Sequence, residues 1–93
     1  MNVVAHNPHA WFLLEEGGSY FLLARCSQSA ADYELLIQLT PEEYREYHAL
    51  GAVYIEYLAA RVNYWSRDYW QRNVAEKHTA ANQAIASWRT ARE

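Results

Sequence analysis

The chain contains only one cysteine, Cys26, among its 93 residues. A single cysteine excludes an internal disulfide framework, and low cysteine usage is typical of proteins kept in a reducing compartment. Cys26 ends a predicted strand on the same side as Leu22 and Ala24, and no base or helix N-terminus lies nearby in the sequence. We therefore expect a buried, structural thiol rather than a reactive one.

Glycine and proline are also scarce, with three glycines and two prolines in the chain. The sequence has no phosphate-binding glycine loop, no dinucleotide fingerprint, no nucleophile elbow and no kinase motif. Its four histidines and one cysteine do not form a pair at the spacing of metal ligands. The sequence thus predicts a protein that is not an enzyme and that uses no cofactor and no metal.

Long apolar runs and excess positive charge are missing too. No run approaches the ~20 apolar residues of a membrane span, and residues 1–9 do not resemble a secretory signal. These observations predict a soluble, cytoplasmic protein without a membrane partner. The net charge is −3, but it is uneven, because residues 1–50 carry −5 and residues 51–93 carry +2. This asymmetry leaves a nucleic-acid partner open for the C-terminal part.

Aromatic residues, in contrast, are abundant: four tryptophans, eight tyrosines and two phenylalanines. A domain of this size buries roughly 60–65% of its unfolded surface, so its core is small. Some of these rings must lie at the surface, where tyrosine and tryptophan commonly anchor partners. The composition therefore favours a binding surface.

The first 40 residues predict an antiparallel three-stranded meander, with strands at about 10–15, 20–26 and 33–39 after an irregular lead-in at 1–9. Gly17-Gly18 separates two apolar runs, which is typical of a tight hairpin and would pair Leu13 with Leu22. After a loop at 27–32, the third strand alternates in polarity. Both faces of the hairpin are apolar, so a second cover is needed. Either the C-terminal helix or another chain would supply it.

A long helix is predicted to begin after Thr40, which can cap it together with Glu43 in a capping box, while Pro41 occupies the first helical position. We expect this helix to span about 41–65 and a second helix to span about 67–90. The boundary between them, near 63–68, stays open. The whole chain, 1–93, is then one α+β domain.

The long helix carries two apolar stripes. The first, predicted to face the core or a dimer partner, comprises Tyr44, Tyr47, Gly51, Tyr54, Leu58 and Val62. The second comprises Leu50, Val53, Tyr57, Ala60 and Tyr64. A continuous helix of this length would measure about 37 Å and would exceed the roughly 32 Å diameter of such a domain. We therefore predict a homodimer, with Gly51 either bending the helix or allowing close packing.

A Tyr-Trp-x-Arg unit occurs twice, at Tyr64–Arg67 and at Tyr69–Arg72. Tyrosine, tryptophan and arginine are the usual anchors of protein interfaces. We predict a non-enzymatic module that binds a partner protein, in an inhibitor, antitoxin-like or accessory role. Its candidate binding residues are Tyr57, Arg61, Tyr64, Trp65, Arg67, Tyr69, Trp70 and Arg72. The alternative is a regulatory protein that binds nucleic acid through the Arg/aromatic segment 61–77.

Overall fold

The computed structural model describes residues 1–27 and 32–92. One antiparallel sheet has the order β1-β2-β3-β4, with β1 at Asn2–Asn7, β2 at Trp11–Glu16, β3 at Ser19–Cys26 and β4 at Tyr33–Gln38. Four α-helices follow: α1 at Pro41–Leu50, α2 at Ala52–Tyr64, α3 at Ser66–Tyr69 and α4 at His78–Arg92. The predicted α+β class is confirmed, but the sheet has four strands and the helical part is more divided than predicted.

The strand β1 replaces the irregular lead-in that the sequence predicted. It pairs with β2 from Asn2↔Glu15 to Asn7↔Trp11, and the register shifts between Val3 and Ala5. Because of this bulge, Val3 packs on one face of the sheet and Ala5 on the other. A bulge breaks the alternation that identifies a strand in a sequence. The sequence pattern therefore concealed β1.

The hairpin of β2 and β3 has the predicted register, with Leu14 opposite Phe21 and Leu13 opposite Leu22. Both turn glycines have positive φ, 59° at Gly17 and 85° at Gly18, as a two-residue hairpin turn requires. The strand β4 joins β3. Most of the predicted loop at 27–32 lies outside the described residues.

Each face of the sheet is covered by a helix of the same chain. On one face, α2 contributes Ile55, Leu58, Ala59 and Val62 to a cluster with the buried side chains of Leu13, Leu22, Ala24, Cys26, Leu35 and Ile37. On the opposite face, α4 contributes Ala81 and Ile85 to a cluster with Phe12, Leu14, Phe21, Leu23 and Leu36. Of the two covers that the sequence allowed, the C-terminal helix is therefore the one present.

The predicted long helix is divided at Gly51. The capping box at Thr40 and Glu43 is present, and the start at Pro41 is confirmed. Gly51 then adopts φ 71° and ψ −148°, a backbone region that is essentially restricted to glycine. Its N–H donates to the Tyr47 carbonyl, which ends α1. The single 41–65 helix is therefore wrong, and the length argument for a dimer is lost with it.

The predicted second helix, 67–90, is also divided. After α3 the chain forms 3₁₀ turns at Trp70–Arg72 and Ala75–Lys77. Between them it passes the edge of β4, where Asn73 Oδ1 accepts from the Leu36 N–H at 3.0 Å and the Val74 N–H donates to the Leu36 carbonyl at 2.7 Å. A chain that covers both faces of a sheet must pass around an edge, and a continuous helix cannot do so.

Candidate functional site

The second apolar stripe lies at the protein surface, with Leu50 at the end of α1 and its other four residues on the solvent side of α2. At about 100° per residue, positions 53, 57, 60 and 64 fall opposite the buried residues of the same helix. The exposed fractions are 55% for Leu50, 73% for Val53, 55% for Tyr57 and 64% for Tyr64, and Ala60 is exposed as well. We call Leu50, Val53, Tyr57, Ala60 and Tyr64 the outer stripe. An apolar row of this length at the surface is typical of an interaction site.

An aromatic cleft of about 630 Å³ adjoins the C-terminal end of the outer stripe. We define the aromatic cleft by its lining residues, Tyr33, Tyr64, Trp65, Ser66, Arg67, Asp68 and Trp70. Half or more of each of Tyr64, Trp65 and Trp70 is exposed to solvent. Tyr64 belongs to both surfaces, which makes them continuous.

Short contacts hold the wall of the aromatic cleft. The Tyr33 hydroxyl donates to Ser66 Oγ at 2.6 Å, and the Tyr33 and Trp70 ring centroids are 5.4 Å apart in an edge-on arrangement. The Tyr64 and Trp65 rings meet at 4.8 Å. Rings that are already positioned lose little side-chain entropy on binding. The cleft thus presents ordered aromatic surface with Arg67 and Asp68 at its rim.

Tyr33, Ser66 and Asp68 line the cleft but are not among the predicted binding residues. Of these three, Tyr33 lies far from the others in the sequence, and it also packs partly against the core. Its ring also reaches the segment after α2 because β4 and α3 are neighbours in the fold. No local signal in the sequence indicates that contact.

Three of the predicted binding residues form a separate group on α2 and α3. Arg61 donates from Nη1 to the Tyr57 hydroxyl at 3.2 Å and from Nε to the Tyr69 hydroxyl at 3.3 Å. Tyr69 is half-buried against the core, so it supports Arg61 more than it offers surface. Tyr57 and Arg61 are both exposed. These contacts place the Arg61 guanidinium at the side of the outer stripe.

Arg72, another predicted binding residue, is held inside the fold. It donates to both carboxylate oxygens of Glu43, at 2.6 Å and 3.0 Å, and to the Gln38 carbonyl at 2.9 Å. Burial acts to raise the pKa of Glu43, but the hydrogen bonds from Arg72 and Thr40 outweigh it and lower that pKa below its usual value. Arg72 therefore joins α1 to the turn after α3.

The first stripe of the long helix faces the protein's own core. Leu58 and Val62 are buried, and Tyr47 and Tyr54 pack partly against the same cluster. Tyr44 lies at the margin, with its ring centroid 5.3 Å from that of Tyr20. The sheet therefore occupies this face, and of the two predicted roles it has the core role.

The described residues hold no group of three or more possible metal ligands, and their cysteine is buried. Burial raises the pKa of the Cys26 thiol, whose sulfur lies 3.8 Å from the Ala24 and Val62 carbonyls, so the predicted structural thiol is confirmed. Within residues 1–27 and 32–92, no three His, Cys, Asp or Glu side chains are placed to share a metal ion. No helix in the same ranges is long and apolar enough to cross a membrane.

A second hollow, of about 380 Å³, lies near the ends of β2, β3 and α4. It includes Arg25, Tyr33 and Arg89. Arg25 is paired with Asp32, and the Arg89 guanidinium lies 5.4 Å from the centre of the Phe12 ring. Because both of its arginines already have partners within the chain, this hollow is the weaker candidate.

No protein-family model, no curated protein and no solved structure is significantly similar to this chain. The outer stripe and the aromatic cleft are therefore the features of this molecule that indicate a function.

Proposed function

We propose that this protein is a non-enzymatic interaction module that binds a partner protein through the aromatic cleft. One observation carries the proposal: Tyr64, Trp65 and Trp70 are each at least half exposed around one concave surface next to an exposed arginine. Tryptophan, tyrosine and arginine are the residues that most often dominate binding energy at protein interfaces. An inhibitor, antitoxin-like or accessory role in the cytoplasm is part of this proposal.

The cleft favours a particular kind of partner segment. Its rings offer apolar contact area, while Arg67 and Asp68 can orient a polar or charged side chain at the rim. A short apolar segment with an acidic residue beside it would suit both features. In such a complex, Trp65 and Trp70 would supply most of the binding energy. Arg67 would fix the position of the partner segment along the cleft by pairing with its acidic residue.

Nucleic-acid binding by segment 61–77 is the weaker proposal. Arg72 pairs with Glu43, and Lys77 Nζ lies 2.5 Å from Glu16 Oε1. Two of the four basic groups of the segment are thus engaged by carboxylates. Nucleic-acid binding combines base stacking on exposed aromatic rings with contacts from basic groups to phosphates. It would need more of the segment's positive groups to be free of carboxylate partners.

The experiment is site-specific photo-crosslinking from position 71, an exposed position next to Trp70 that does not line the cleft, in cells that produce the protein. We expect one dominant crosslinked protein, which disappears when Trp65→Ala and Trp70→Ala are combined. Val4→Ala is the matched control, because Val4 is an apolar residue 44% exposed on β1, away from the cleft, and it should leave the crosslink unchanged. An unchanged pattern in the double tryptophan variant would contradict the proposal. Crosslinks to nucleic acid that fall steeply with salt would favour the alternative.

A further inference from the structure

We infer that the α2 part of the outer stripe is the seam of a homodimer in which two copies of α2 pack in parallel. Four residues of the outer stripe lie on α2, and they are separated by 4, 3 and 4 positions. This is the spacing of the a and d positions of a coiled coil, with Tyr57 and Tyr64 at a and Val53 and Ala60 at d. Leu50 ends α1 before the break at Gly51 and is not part of this seam. The inner face of α2 already packs on its own sheet, so this second face is left for another helix.

The charged residues beside the stripe favour a second copy of this chain as the molecule that packs on it. Glu56 precedes an a position and is therefore at g, while Arg61 follows a d position and is at e. In a parallel pair, a g residue faces the e residue five positions later on the other helix. Glu56 of each copy would therefore face the other copy's Arg61, and two-fold symmetry makes that ion pair twice.

The same charges argue against an antiparallel pair. In an antiparallel pair, each side of one helix lies against the same side of the other helix. Glu56 of one copy would then lie on the same flank as Glu56 of the other copy, and the two Arg61 side chains would share the opposite flank. Like charges across an interface are unfavourable, and charge pattern is a common means of selecting orientation. Parallel packing is the arrangement in which opposite charges meet.

Both charged side chains are already oriented within one chain. Asn7 Nδ2 donates to Glu56 Oε1 at 2.7 Å, and Arg61 is held by the hydroxyls of Tyr57 and Tyr69. A carboxylate accepts several hydrogen bonds and a guanidinium has five N–H donors. Each group therefore keeps capacity for a bond across the seam, and its orientation reduces the entropy lost on pairing.

The seam is short, which limits the strength of the dimer. The helix α2 has 13 residues and is about 20 Å long, so it supplies about two heptads. An interface this small belongs at the lower end of the range for specific complexes. We expect a dimer dissociation constant in the micromolar range. The two α2 helices should approach each other most closely at Ala60, where the side chain is small.

Parallel packing has a consequence for the aromatic cleft. The C-terminal ends of both α2 helices lie together, so the two clefts are at the same end of the dimer. The seam shares Tyr64 with the aromatic cleft, but it does not involve Trp65, Trp70 or the partner protein. Its test is therefore separate from that of the proposed function, and either proposal can fail while the other stands.

The first test is sedimentation equilibrium over a range of protein concentrations. The wild type should shift from one chain mass towards two chain masses in the micromolar range, and Val53→Glu should raise the dissociation constant about 100-fold or more by placing like charges in the seam. Gln83→Glu is the matched control, since it adds the same charge to an exposed position of α4. A monomer at every concentration, or a dimer indifferent to Val53→Glu, overturns the inference.

The second test reverses the flanking charges. Glu56→Arg or Arg61→Glu alone should weaken the dimer about tenfold, because each puts like charges across both flanks of a parallel pair. The combined Glu56→Arg and Arg61→Glu variant restores opposite charges and should return to within about threefold of the wild type. Circular dichroism checks that each variant keeps its helices. A double variant as weak as the single variants overturns the parallel arrangement.

The third test reads the orientation directly through an engineered thiol. In a parallel dimer the two copies of Val53→Cys face one another and should form an intermolecular disulfide under mild oxidation. In an antiparallel dimer centred between residues 57 and 60, they would be separated by about 16 Å along the helices, which is too far. Gln83→Cys is the control and should not crosslink, while Cys26 is buried. A dimer that does not crosslink through position 53 overturns the inference.

Discussion

The helices α2 and α4 perform the same structural task on opposite faces of one sheet, yet their outward sides differ. On α4, the outward side carries exposed Asn82, Gln83, Ser87 and Thr90, which is ordinary for a surface helix. On α2, the outward side is the apolar outer stripe. Because α4 shows that one apolar face suffices to cover the sheet, the second apolar face of α2 is not required by the fold. This difference is what points to an interaction.

The largest expected effect concerns the inner faces of the two helices. Leu58→Ala should lower the free energy of unfolding by about 3 kcal/mol, because it removes a buried side chain and leaves a cavity. Ile85→Ala on α4 should cost somewhat less, about 2 kcal/mol, since α4 contributes two buried residues and α2 contributes four. Urea unfolding measures both. A larger loss for Ile85→Ala would reverse this ranking of the two helices.

The next effect concerns the segment that connects α2 to α4. Arg72→Ala should cost about 2 kcal/mol, because it leaves the partly buried carboxylate of Glu43 without its ion pair. Arg67→Ala is the matched control, because Arg67 is exposed and its loss should change stability by less than ~0.5 kcal/mol. Equal stability of the two variants would mean that the Arg72–Glu43 pair does not hold the connection.

The same ion pair predicts how stability depends on pH. The folded-state pKa of Glu43 is lowered from 4.5, so the group contributes stability that is present above pH 4.5 and is lost as the pH falls through the folded pKa. Glu43→Gln abolishes this titration. The difference in unfolding free energy between wild type and Glu43→Gln should therefore be larger at neutral pH than at about pH 3. A difference that grows on acidification would contradict the assignment.

A smaller effect is expected at the junction of α1 and α2. Gly51→Ala should destabilise the protein by about 1.5 kcal/mol because its positive φ and extended ψ are strained for any residue with a Cβ. No atom lies within 4 Å of a Cβ placed there, so the cost is backbone strain alone. If α1 and α2 were one continuous helix, alanine would instead stabilise it. Thermal unfolding distinguishes the two signs.

The smallest effect compares the outer faces directly. At protein concentrations well below the dimer dissociation constant, Val53→Ala on α2 and Gln83→Ala on α4 should each change the unfolding free energy by less than ~0.5 kcal/mol. At high concentration only Val53→Ala should lower the melting temperature relative to wild type, because a dimer stabilises the folded state by mass action. A cost at low concentration would show that Val53 supports the monomer itself.

Several elements could be predicted because their signals are local. The Thr40–Glu43 capping box and the Gly17-Gly18 turn depend on residues only a few positions apart, and alternation along β4 identifies its two faces. The interruptions of the strand and of the helices were harder to predict. The bulge in β1 removes its alternation, and Gly51 alone does not distinguish a bend from a complete interruption. Asn73 stops the helix only because the edge of β4 lies beside it.

The candidate site shows the same limit. The exposed aromatic residues could be selected from composition and from the repeated Tyr-Trp-x-Arg unit. Their grouping could not, because Tyr33 and Trp70 are far apart in the chain and meet only through packing. Arg72 and Tyr69 resembled binding residues in the sequence, yet the fold uses them for an ion pair with Glu43 and for support of Arg61.

The two apolar faces of α2 follow from the sequence, because helical spacing alone produces them. Which of the two faces lies inside depends on how the chain folds. The Gly51 break directs α2 across the sheet with Leu58 and Val62 inward, and the passage around β4 at Asn73 sends α4 to the other face. With both faces of the sheet covered by one chain, the outer stripe has no further surface of its own chain to pack against. An exposed apolar row of this kind is typical of a surface that binds another molecule.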